Sequence, residues 1–287
     1  MAFKLANISG QAALVKGEHY YDLKTISNNA FDGDTLNALN QLDELHSLNS
    51  ILDETNPTGL LEEATIDAPV SNPKNCYAVG LNYRNHAEEA GMEIPNVPMI
   101  FTKHTTCLVG PHADIEMRSD HVDYEAELVA VIGKSGKDIS KDDAWDHIAG
   151  LCVGQDISDR VVQFAAKPPQ FNLGKSFDTF GPMGPYLVSL DELDYKKGFK
   201  IQCKVNEETR QDDNTNDLIF DLPSIINYLS EIVTLNVGDI IFTGTPGGVG
   251  VMEGKFLQEG DVVTTEIEGL GTLRNKCKRI TNHSGIE

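Results

Sequence analysis

The sequence predicts an α+β fold built on a mixed, mostly antiparallel sheet, with a small α/β unit at its N-terminus. Strand-like segments dominate from Asn75 onward, and helical segments are few. Strands and helices do not alternate regularly, which disfavours a doubly wound sheet or an α/β barrel. The length of 287 residues allows one large domain with a small appendage. We therefore predict a small domain over residues 1–71 and a large domain over residues 72–287.

The small domain is predicted to contain short strands followed by one amphipathic helix. The segments FKLANIS, AALVKG and HYYDL have strand composition and are joined by turns that contain glycine. Leucines then recur at positions 36, 39, 42, 45 and 48, a spacing that forms one apolar helical face. Such a helix usually packs on the core of its own domain, and a partner-binding helix is the alternative.

The large domain is predicted to consist mainly of strands with three helical segments between them. The helices are expected around Tyr83–Ala90, around Lys141–His147 and near Leu222–Leu235. The predicted strands are NCYAVGLN, PMIFTKH, AELVAVIG, GLCVGQDIS, GPYLVSL, FKIQCKVN, DIIFTGT, DVVTTEIEG and GTLRNKCKRI.

The formal net charge of −21 limits the partners that this chain can bind. So acidic a surface repels nucleic-acid phosphates and anionic lipids, and we expect neither a nucleic-acid nor a membrane partner. An anionic substrate would need a local positive centre, from a metal ion or from well-placed Lys and Arg side chains.

Apolar runs and cysteines indicate the compartment. The longest apolar runs, such as LVAVIG, are too short to span a bilayer, and the N-terminus has no apolar region typical of a secretory signal. Both observations predict a cytoplasmic protein. The five cysteines are widely spaced and never form a CxxC pair, which favours reduced thiols over disulfides or a thiolate metal site.

The stretch VDYEAELVAVIG carries two acids inside an apolar strand. Glu125 and Glu127 are two positions apart, so they project from the same face of a strand. Asp156, at the end of the strand-like GLCVGQD, could supply a third carboxylate from a neighbouring strand. Three carboxylates without a nearby Cys or His pair favour Mg²⁺ or Mn²⁺ over Zn²⁺. A solvated strand edge is the alternative, because paired acids on strands are common.

A histidine and a glutamate form a second candidate pair in GLNYRNHAEEAG. His86 and Glu89 are three residues apart and share a face if the segment is helical. A carboxylate beside an imidazole fixes its tautomer and raises its basicity, as a general base acting on water requires. The alternative is a surface helix with an incidental histidine.

Three further side chains suit the binding of an anionic substrate. Lys175, in FNLGKSFDTFGP, could stabilise an oxyanion or a carboxylate, and Arg160 could clamp a substrate carboxylate. A snorkelling surface lysine and an arginine paired with Asp156 or Asp159 are the alternatives. The loop TGTPGGVG lacks the ending of a phosphate-binding loop, so we expect its amides and the Thr245 hydroxyl to face a small anion or carbonyl.

These motifs, taken together and in order, resemble the fumarylacetoacetate hydrolase family. The segments that carry the resemblance are GLNYRNHAEEAG, PMIFTKH, VDYEAELVAVIGK, GQDISDR, LGKSFDTFGPMGP, LIFDLPSIINYLSEIVTLNVGDIIFTGTPGGVG and EIEGLGTLRNKC. The resemblance implies a β-roll fold for the large domain, a homodimer, and a site at the mouth of the roll.

The resemblance also implies roles for individual residues. It implies one Mg²⁺ or Mn²⁺ per subunit, held by Glu125, Glu127 and Asp156. It implies that His86 and Glu89 are the catalytic pair of a mobile lid. The resemblance further implies Lys175 as a catalytic lysine, and Arg160, Thr245, Tyr83 and Lys103 as candidates for substrate binding.

Members of this family act on several kinds of oxo acid, and KSFDTFGPMGP most resembles the members that act on diketo acids. We expect a metal-dependent hydrolase that cleaves a C–C bond in an acylpyruvate or diketo acid. The alternative on the same scaffold is an oxaloacetate decarboxylase, or an isomerase or hydratase of unsaturated 2-oxo diacids. A non-catalytic protein that binds a metal and an oxo acid is the alternative from a different class.

Overall fold

The computed structural model describes residues 2–70 and 72–280. Over these residues the strands are β1 (Lys4–Ile8), β2 (Gln11–Lys16), β3 (His19–Asp22), β4 (Gly59–Leu60), β5 (Ile66–Asp67), β6 (Cys76–Gly80), β7 (Met99–Thr102), β8 (Leu108–Val109), β9 (Ile115–Met117), β10 (Val122–Asp123), β11 (Ala126–Ile132), β12 (Ile148–Gln155), β13 (Ser158–Asp159), β14 (Gly181–Val188), β15 (Lys200–Val205), β16 (Glu208–Asn214), β17 (Ile240–Phe242), β18 (Val262–Ile267) and β19 (Gly271–Arg279).

Helices are short and lie between the strands. The α-helices are α1 (Leu23–Ile26), α2 (Thr35–Leu39), α3 (Leu42–Leu48), α4 (Arg84–Glu89), α5 (Arg160–Phe164), α6 (Phe171–Gly174), α7 (Leu222–Ile232) and α8 (Gly250–Glu253). The 3-10 helices are Asn49–Glu54, Leu61–Glu63, Thr105–Cys107, Ala144–His147, Leu190–Glu192, Tyr195–Lys197 and Thr215–Asp217. Among the described residues, no helix is long and apolar enough to cross a bilayer.

Two sheets form the body of the molecule. The larger follows the order β4-β3-β2-β1-β14-β12-β11-β17-β6-β7, and the smaller follows β16-β15-β18-β19-β9. Most neighbouring strands are antiparallel, while β6–β17, β8–β14 and β9–β19 are parallel. Apolar side chains of both sheets, such as Leu128 of β11 and Ile201 of β15, share one buried core. The predicted α+β class with a mixed, mostly antiparallel sheet is confirmed.

The N-terminal strands belong to the same sheet as the strands of the large domain. Strand β1 pairs antiparallel with β14, with Leu5 opposite Leu187. A second core contains Phe3 and Leu5 together with Met183 and Phe242. The predicted boundary at residue 71 lies outside the described residues, and the strands on both sides of it share hydrogen bonds and core.

The predicted leucine-rich helix is two helices in the structure. Helix α2 ends at Leu39, and α3 begins at Leu42. At the break, the side-chain amide of Asn40 donates to the carbonyl of Leu36 at 2.9 Å. This bond offers the backbone a local alternative to helix continuation, so the prediction of a single helix was wrong. Leu39 and Leu45 are still buried, as the periodicity indicates.

All five cysteines lie within the described residues, where each is free and buried. This matches the expectation of thiols inside the core.

Candidate active site

The three predicted carboxylates converge at the ends of two paired strands. Glu125 directly precedes β11, Glu127 is its second residue, and Asp156 directly follows β12. The pairing of Ala126 with Gln155 brings these strand ends side by side. One oxygen of each acid lies within 4.8 Å of the other two, and all three side chains are buried.

Lys175 joins two of these acids. Its Nζ donates to Glu125 Oε2 at 2.7 Å, to Asp156 Oδ2 at 2.9 Å and to Ser158 Oγ at 2.8 Å. These three bonds use every N–H of the ammonium group. Lys175 therefore reaches the cavity as predicted. It contributes a positive charge there, but it has no N–H group left to donate to a substrate.

Lys103 lies beneath the carboxylates and not on the pocket wall. Its Nζ donates to Asp156 Oδ1 at 2.6 Å and to the carbonyls of Lys175 and Phe180. The side chain is fully buried. Burial acts to lower the pKa of Lys103, but the negative charge of Asp156 raises it by more. The net pKa of Lys103 is therefore raised, and the ammonium group stays charged. In this position Lys103 orients Asp156, whereas the family resemblance implied that Lys103 binds substrate.

Glu127 differs from the other two acids because no cation contacts it among the described residues. Its Oε2 accepts from the amide of Gly244 at 2.7 Å. Burial, and then the charges of Asp156 and Glu125, raise the pKa of Glu127 well above its ordinary value. Gly244 has a φ of +100°, and a Cβ there would lie 2.7 Å from Asn82 Cβ, so the approach to Glu127 depends on glycine.

Glu125 is shifted in the opposite direction. Burial acts to raise its pKa, but Lys175 and Arg160 outweigh burial and bring the pKa of Glu125 to about 2. Glu125 is therefore ionised at any physiological pH, while Glu127 beside it lacks a compensating charge.

The donor set fits a divalent cation. Glu125, Glu127 and Asp156 offer hard carboxylate oxygens, which Mg²⁺ and Mn²⁺ prefer. An ion bound here would supply the positive charge that Glu127 does not receive from the protein.

Arg160, the first residue of α5, is held by acids on one side. Its Nε and Nη2 donate to Asp123 Oδ2 at 2.9 and 2.7 Å, and Nη2 also donates to Glu125 Oε1 at 2.7 Å. Its Nη1 donates to Gln163 Oε1 at 2.7 Å. A guanidinium has five N–H groups, and the described residues accept from four of them, which leaves one for a ligand.

Asp123 is fully buried and links Arg160 to the wall of the pocket. Besides the guanidinium, it accepts from the amides of Gly250 at 2.7 Å and Val251 at 2.9 Å. It also accepts from the amide of Tyr124. Asp123 therefore fixes the position of Arg160 relative to helix α8.

Helix α4 carries the predicted His86–Glu89 pair and is attached to the glycine loop. Glu89 Oε2 accepts from the amide of Gly248 at 3.0 Å, and Asn85 Oδ1 accepts from the amide of Gly247 at 3.1 Å. His86 Nδ1 lies 3.7 Å from Glu89 Oε2, which is ion-pair distance but too long for a hydrogen bond. The predicted helix and pair are thus present, with Glu89 engaged by the loop.

The pKa of His86 is lowered from its ordinary value. Burial is the main cause, and the nearby Glu125 and Glu89 oppose it only in part. The imidazole is therefore neutral at pH 7, the form that can accept a proton.

One cavity of about 250 Å³ joins these groups. Its wall includes His86, Glu125, Arg160, Lys175 and Thr245 of the predicted residues. The remaining lining side chains are mostly apolar.

Thr245 and Tyr83 have different positions relative to this cavity. Thr245 Oγ1 lies on the wall and accepts from Gln211 Nε2 at 2.8 Å. Tyr83 is fully buried behind the wall, and its hydroxyl has no hydrogen-bond partner among the described residues. Burial, and then Glu127, raise the pKa of Tyr83 well above its ordinary value. Its predicted contact with substrate therefore stays a prediction.

Several polar residues of the site escaped the sequence analysis. Asp123, Gln163 and Gln211 each hold a predicted residue by hydrogen bonds. Gln155 accepts from the amide of Glu125. Only Gln163 carried a usable signal, since it lies three residues after Arg160 on one helix face.

Comparison with known proteins places this site in a family context. Residues 75–278 match the family described as fumarylacetoacetate (FAA) hydrolase, C-terminal. A fumarylacetoacetate hydrolase domain-containing protein 2 homolog of Dictyostelium discoideum is 40% identical over 84% of this chain and 83% of its own length. The oxaloacetate tautomerase YisK of Bacillus subtilis (strain 168) is 45% identical over 75% of this chain and 74% of its own length.

A solved structure shares the fold. Maleylpyruvate hydrolase from Sphingobium sp. SYK-6, crystallised with manganese(II) and pyruvate, superposes with a TM-score of 0.81. It is 25% identical and covers 96% of this chain and 99% of its own.

Proposed function

Because the chain belongs to the fumarylacetoacetate hydrolase family, we propose that it is a divalent-cation-dependent enzyme that tautomerises small 2-oxo acids, with oxaloacetate as the first substrate to test. The sequence favoured a C–C hydrolase, with an oxaloacetate decarboxylase, or an isomerase or hydratase of unsaturated 2-oxo diacids, as the alternative on the same scaffold. The relative named as an oxaloacetate tautomerase supports that alternative better than the hydrolase.

The observation that carries the proposal is the arrangement around one cavity. Glu125, one member of the cluster of three carboxylates, lines this cavity, and the neutral, half-buried imidazole of His86 faces the same space. Tautomerisation requires only a base that moves one proton and an environment that stabilises charge on the substrate oxygen.

Glu125, Glu127 and Asp156 would hold the cation. A bound Mg²⁺ or Mn²⁺ supplies Lewis acidity to the oxygens of a 2-oxo acid. Lys175 adds a fixed positive charge beside Glu125 and Asp156. Arg160 offers its remaining N–H to the substrate carboxylate.

His86 performs the proton transfer in this proposal. Its neutral ring accepts a proton from C3 of the keto acid and, as an imidazolium, returns it to the carbonyl oxygen, so the enol forms with no change in composition. In the reverse direction the enol oxygen loses its proton and C3 gains one. Glu89 favours the protonated ring because it is a nearby negative charge. General acid–base catalysis of this kind contributes about 10²–10⁴-fold.

The test follows the enol absorbance of oxaloacetate. Enol prepared in aprotic solvent is diluted into buffer that contains protein and Mg²⁺ or Mn²⁺, and the expected result is ketonisation faster than in buffer alone. A chelator should remove the acceleration, and His86→Ala should reduce it by about 10²-fold or more. An unchanged rate with the metal-loaded protein would overturn the proposal.

A hydrolase is the second candidate. The structural neighbour crystallised with manganese and pyruvate is a maleylpyruvate hydrolase, and the same imidazole could deprotonate water. Product identification separates the possibilities. Acylpyruvates that yield pyruvate and a carboxylic acid indicate hydrolysis, whereas oxaloacetate that yields carbon dioxide indicates decarboxylation. Tight binding without turnover would support the non-catalytic alternative.

A further inference from the structure

Exposed apolar side chains gather at the mouth of the active-site cavity. Met92, Met99, Phe164 and Met252 are between 37% and 54% exposed, and all four line this cavity. They come from the segment after α4, from β7, from α5 and from α8. Apolar groups that converge from four separate segments on one opening are typical of a ligand-binding groove rather than of scattered surface residues.

The apolar surface continues inward to the charged floor. Phe101 and Phe171 lie deeper on the same wall and pack edge to face, with ring centroids 5.7 Å apart. Lys175 Nζ lies 5.5 Å from the centroid of the Phe101 ring. The cavity therefore has a polar end at the carboxylates and an apolar side that reaches the solvent.

The outer part of the cavity offers little for a second carboxylate. The Lys and Arg side chains among its described lining residues are Lys175 and Arg160, and both belong to the floor. Every N–H of Lys175 is used by protein oxygens, and one N–H of Arg160 remains. A carboxylate against the methionines and phenylalanines would lose hydration without gaining a Lys or Arg partner from the described lining residues.

We infer that the outer wall is an apolar subsite and that enolisable 2-oxo monocarboxylic acids with an alkyl or aryl group at C3 are substrates besides oxaloacetate. The oxo-acid end of the substrate lies at the charged floor of the cavity. This placement is taken from the proposed function, on which the inference therefore rests. The substituent packs against the methionines, whose flexible thioether chains accommodate varied shapes. The proton balance is the same as for oxaloacetate, since C3 and the carbonyl oxygen exchange one proton and the substituent does not react.

Binding of a chain-length series tests the subsite directly. Calorimetry with the full-length protein and Mg²⁺ compares pyruvate, 2-oxobutanoate, 2-oxopentanoate and 2-oxohexanoate. Each added methylene that leaves water should tighten binding by about fourfold. The longest acid should also be displaced by pyruvate. An affinity that stays constant or falls along the series would overturn the inference. Failure of pyruvate to displace the longest acid would overturn it as well.

A double variant locates the gain at the mouth. Met92→Gln combined with Met252→Gln keeps chain length but adds polar groups to the wall. The ratio of 2-oxohexanoate affinity to pyruvate affinity should fall about fourfold or more, which corresponds to the loss of at least one buried methylene. The control is Ile232→Gln, because Ile232 is 62% exposed on α7 and does not line this cavity. An unchanged ratio in the double variant would contradict the subsite.

The failure of this inference differs from failure of the proposed function. If the protein ketonises oxaloacetate but the acids bind without a chain-length gain, the subsite is wrong and the tautomerase proposal stands. If the chain-length gain and its loss in the double variant are seen without any ketonisation, the subsite stands and the proposed reaction is wrong.

Discussion

Single buried acids at the floor of the site differ in what compensates their charge. Glu125 and Asp156 each contact Lys175, while Glu127 has only a backbone amide. A buried carboxylate without a cation is costly, and the cost disappears if the charge is removed or a cation binds. Glu127 is therefore the residue through which metal binding and stability are most directly connected.

Replacing Glu127 by glutamine should separate these two effects. Glu127→Gln keeps the shape but removes the uncompensated charge, so without metal the protein should be more stable by ~1 kcal/mol, or about 2 °C in Tm. Added Mg²⁺ should raise the Tm of the wild type and leave the variant unchanged. Glu266→Gln, on an exposed position of β18, is the matched control. A Mg²⁺-dependent rise in Tm that survives in Glu127→Gln would contradict the metal site.

His86 makes the reaction dependent on pH. Since burial lowers its pKa below the ordinary value, the neutral base persists to lower pH than for a free imidazole, and activity is lost as pH falls through that pKa. Glu89 acts to raise the pKa of His86, so Glu89→Gln should move the acidic limb of kcat/KM to still lower pH. A pH–rate profile of both proteins measures the shift. An acidic limb that moves to higher pH would show that another group titrates.

Site residues could be predicted from sequence where the signal is local. The i, i+2 spacing of Glu125 and Glu127, and the i, i+3 spacing of His86 and Glu89, follow from strand and helix geometry. Asp123 and Gln211 could not be predicted this way. Asp123 contacts Arg160 across 37 positions, and Gln211 contacts Thr245 across 34. Such pairs depend on the folded topology and leave no periodic pattern.

At the scale of elements, α4 and the glycine loop form one unit. Asn85 and Glu89 accept from consecutive amides of the loop, and Arg84 donates to backbone carbonyls near Asp217. The loop itself is shaped by Gly248, which has a φ of +93°. A Cβ at this position would lie 2.1 Å from the carbonyl oxygen of Arg210. The position of His86 on α4 therefore depends on the backbone conformation of Gly248 in the glycine loop.

Substituting this glycine should disturb both stability and catalysis. Gly248→Ala should cost about 1–3 kcal/mol, because it combines a positive φ with a backbone clash, and should lower kcat by displacing Glu89. Gly254→Ala is the control, since Gly254 also has a positive φ of 67° but meets no atom within 4 Å. Its cost should stay near 1 kcal/mol, with kcat unaffected. Thermal unfolding and turnover are measured on both variants. Equal losses of stability and of kcat in the two variants would show that the contact with the Arg210 carbonyl does not matter.

Element type was more predictable than element continuity. The predicted strand AELVAVIG is β11, and the helix expected around Tyr83–Ala90 is α4. The leucine periodicity predicted the buried face correctly but not the break after Leu39. Periodicity reports which side chains face the core, whereas local hydrogen bonding by Asn40 decides where a helix stops.

For the whole molecule, the question is whether the first 70 residues fold separately. Strand β1 lies between β2 and β14, and Phe3 and Leu5 are buried in a core shared with Phe242. A sheet and a core that continue across the predicted boundary favour one cooperative unit.

Truncating one buried leucine tests this cooperativity. Leu5→Ala should cost about 2–5 kcal/mol and lower the Tm of a single unfolding transition by about 4–10 °C. Ile51→Ala, at a position that is 39% exposed, should have a much smaller effect. Calorimetry and circular dichroism should report the same transition. Two transitions, with only the first shifted by Leu5→Ala, would show that residues 1–71 unfold as an independent domain.

The insertion of β1 beside β14 has a consequence for biosynthesis. The amide of Phe3 donates to the hydroxyl of Ser189, a residue 186 positions later in the chain. A ribosome therefore releases β1 long before its neighbour exists, and the segment must wait with an unpaired edge and uncovered apolar side chains. Pairing over such a sequence distance is slow, so the nascent chain should depend on chaperones until its second half has emerged.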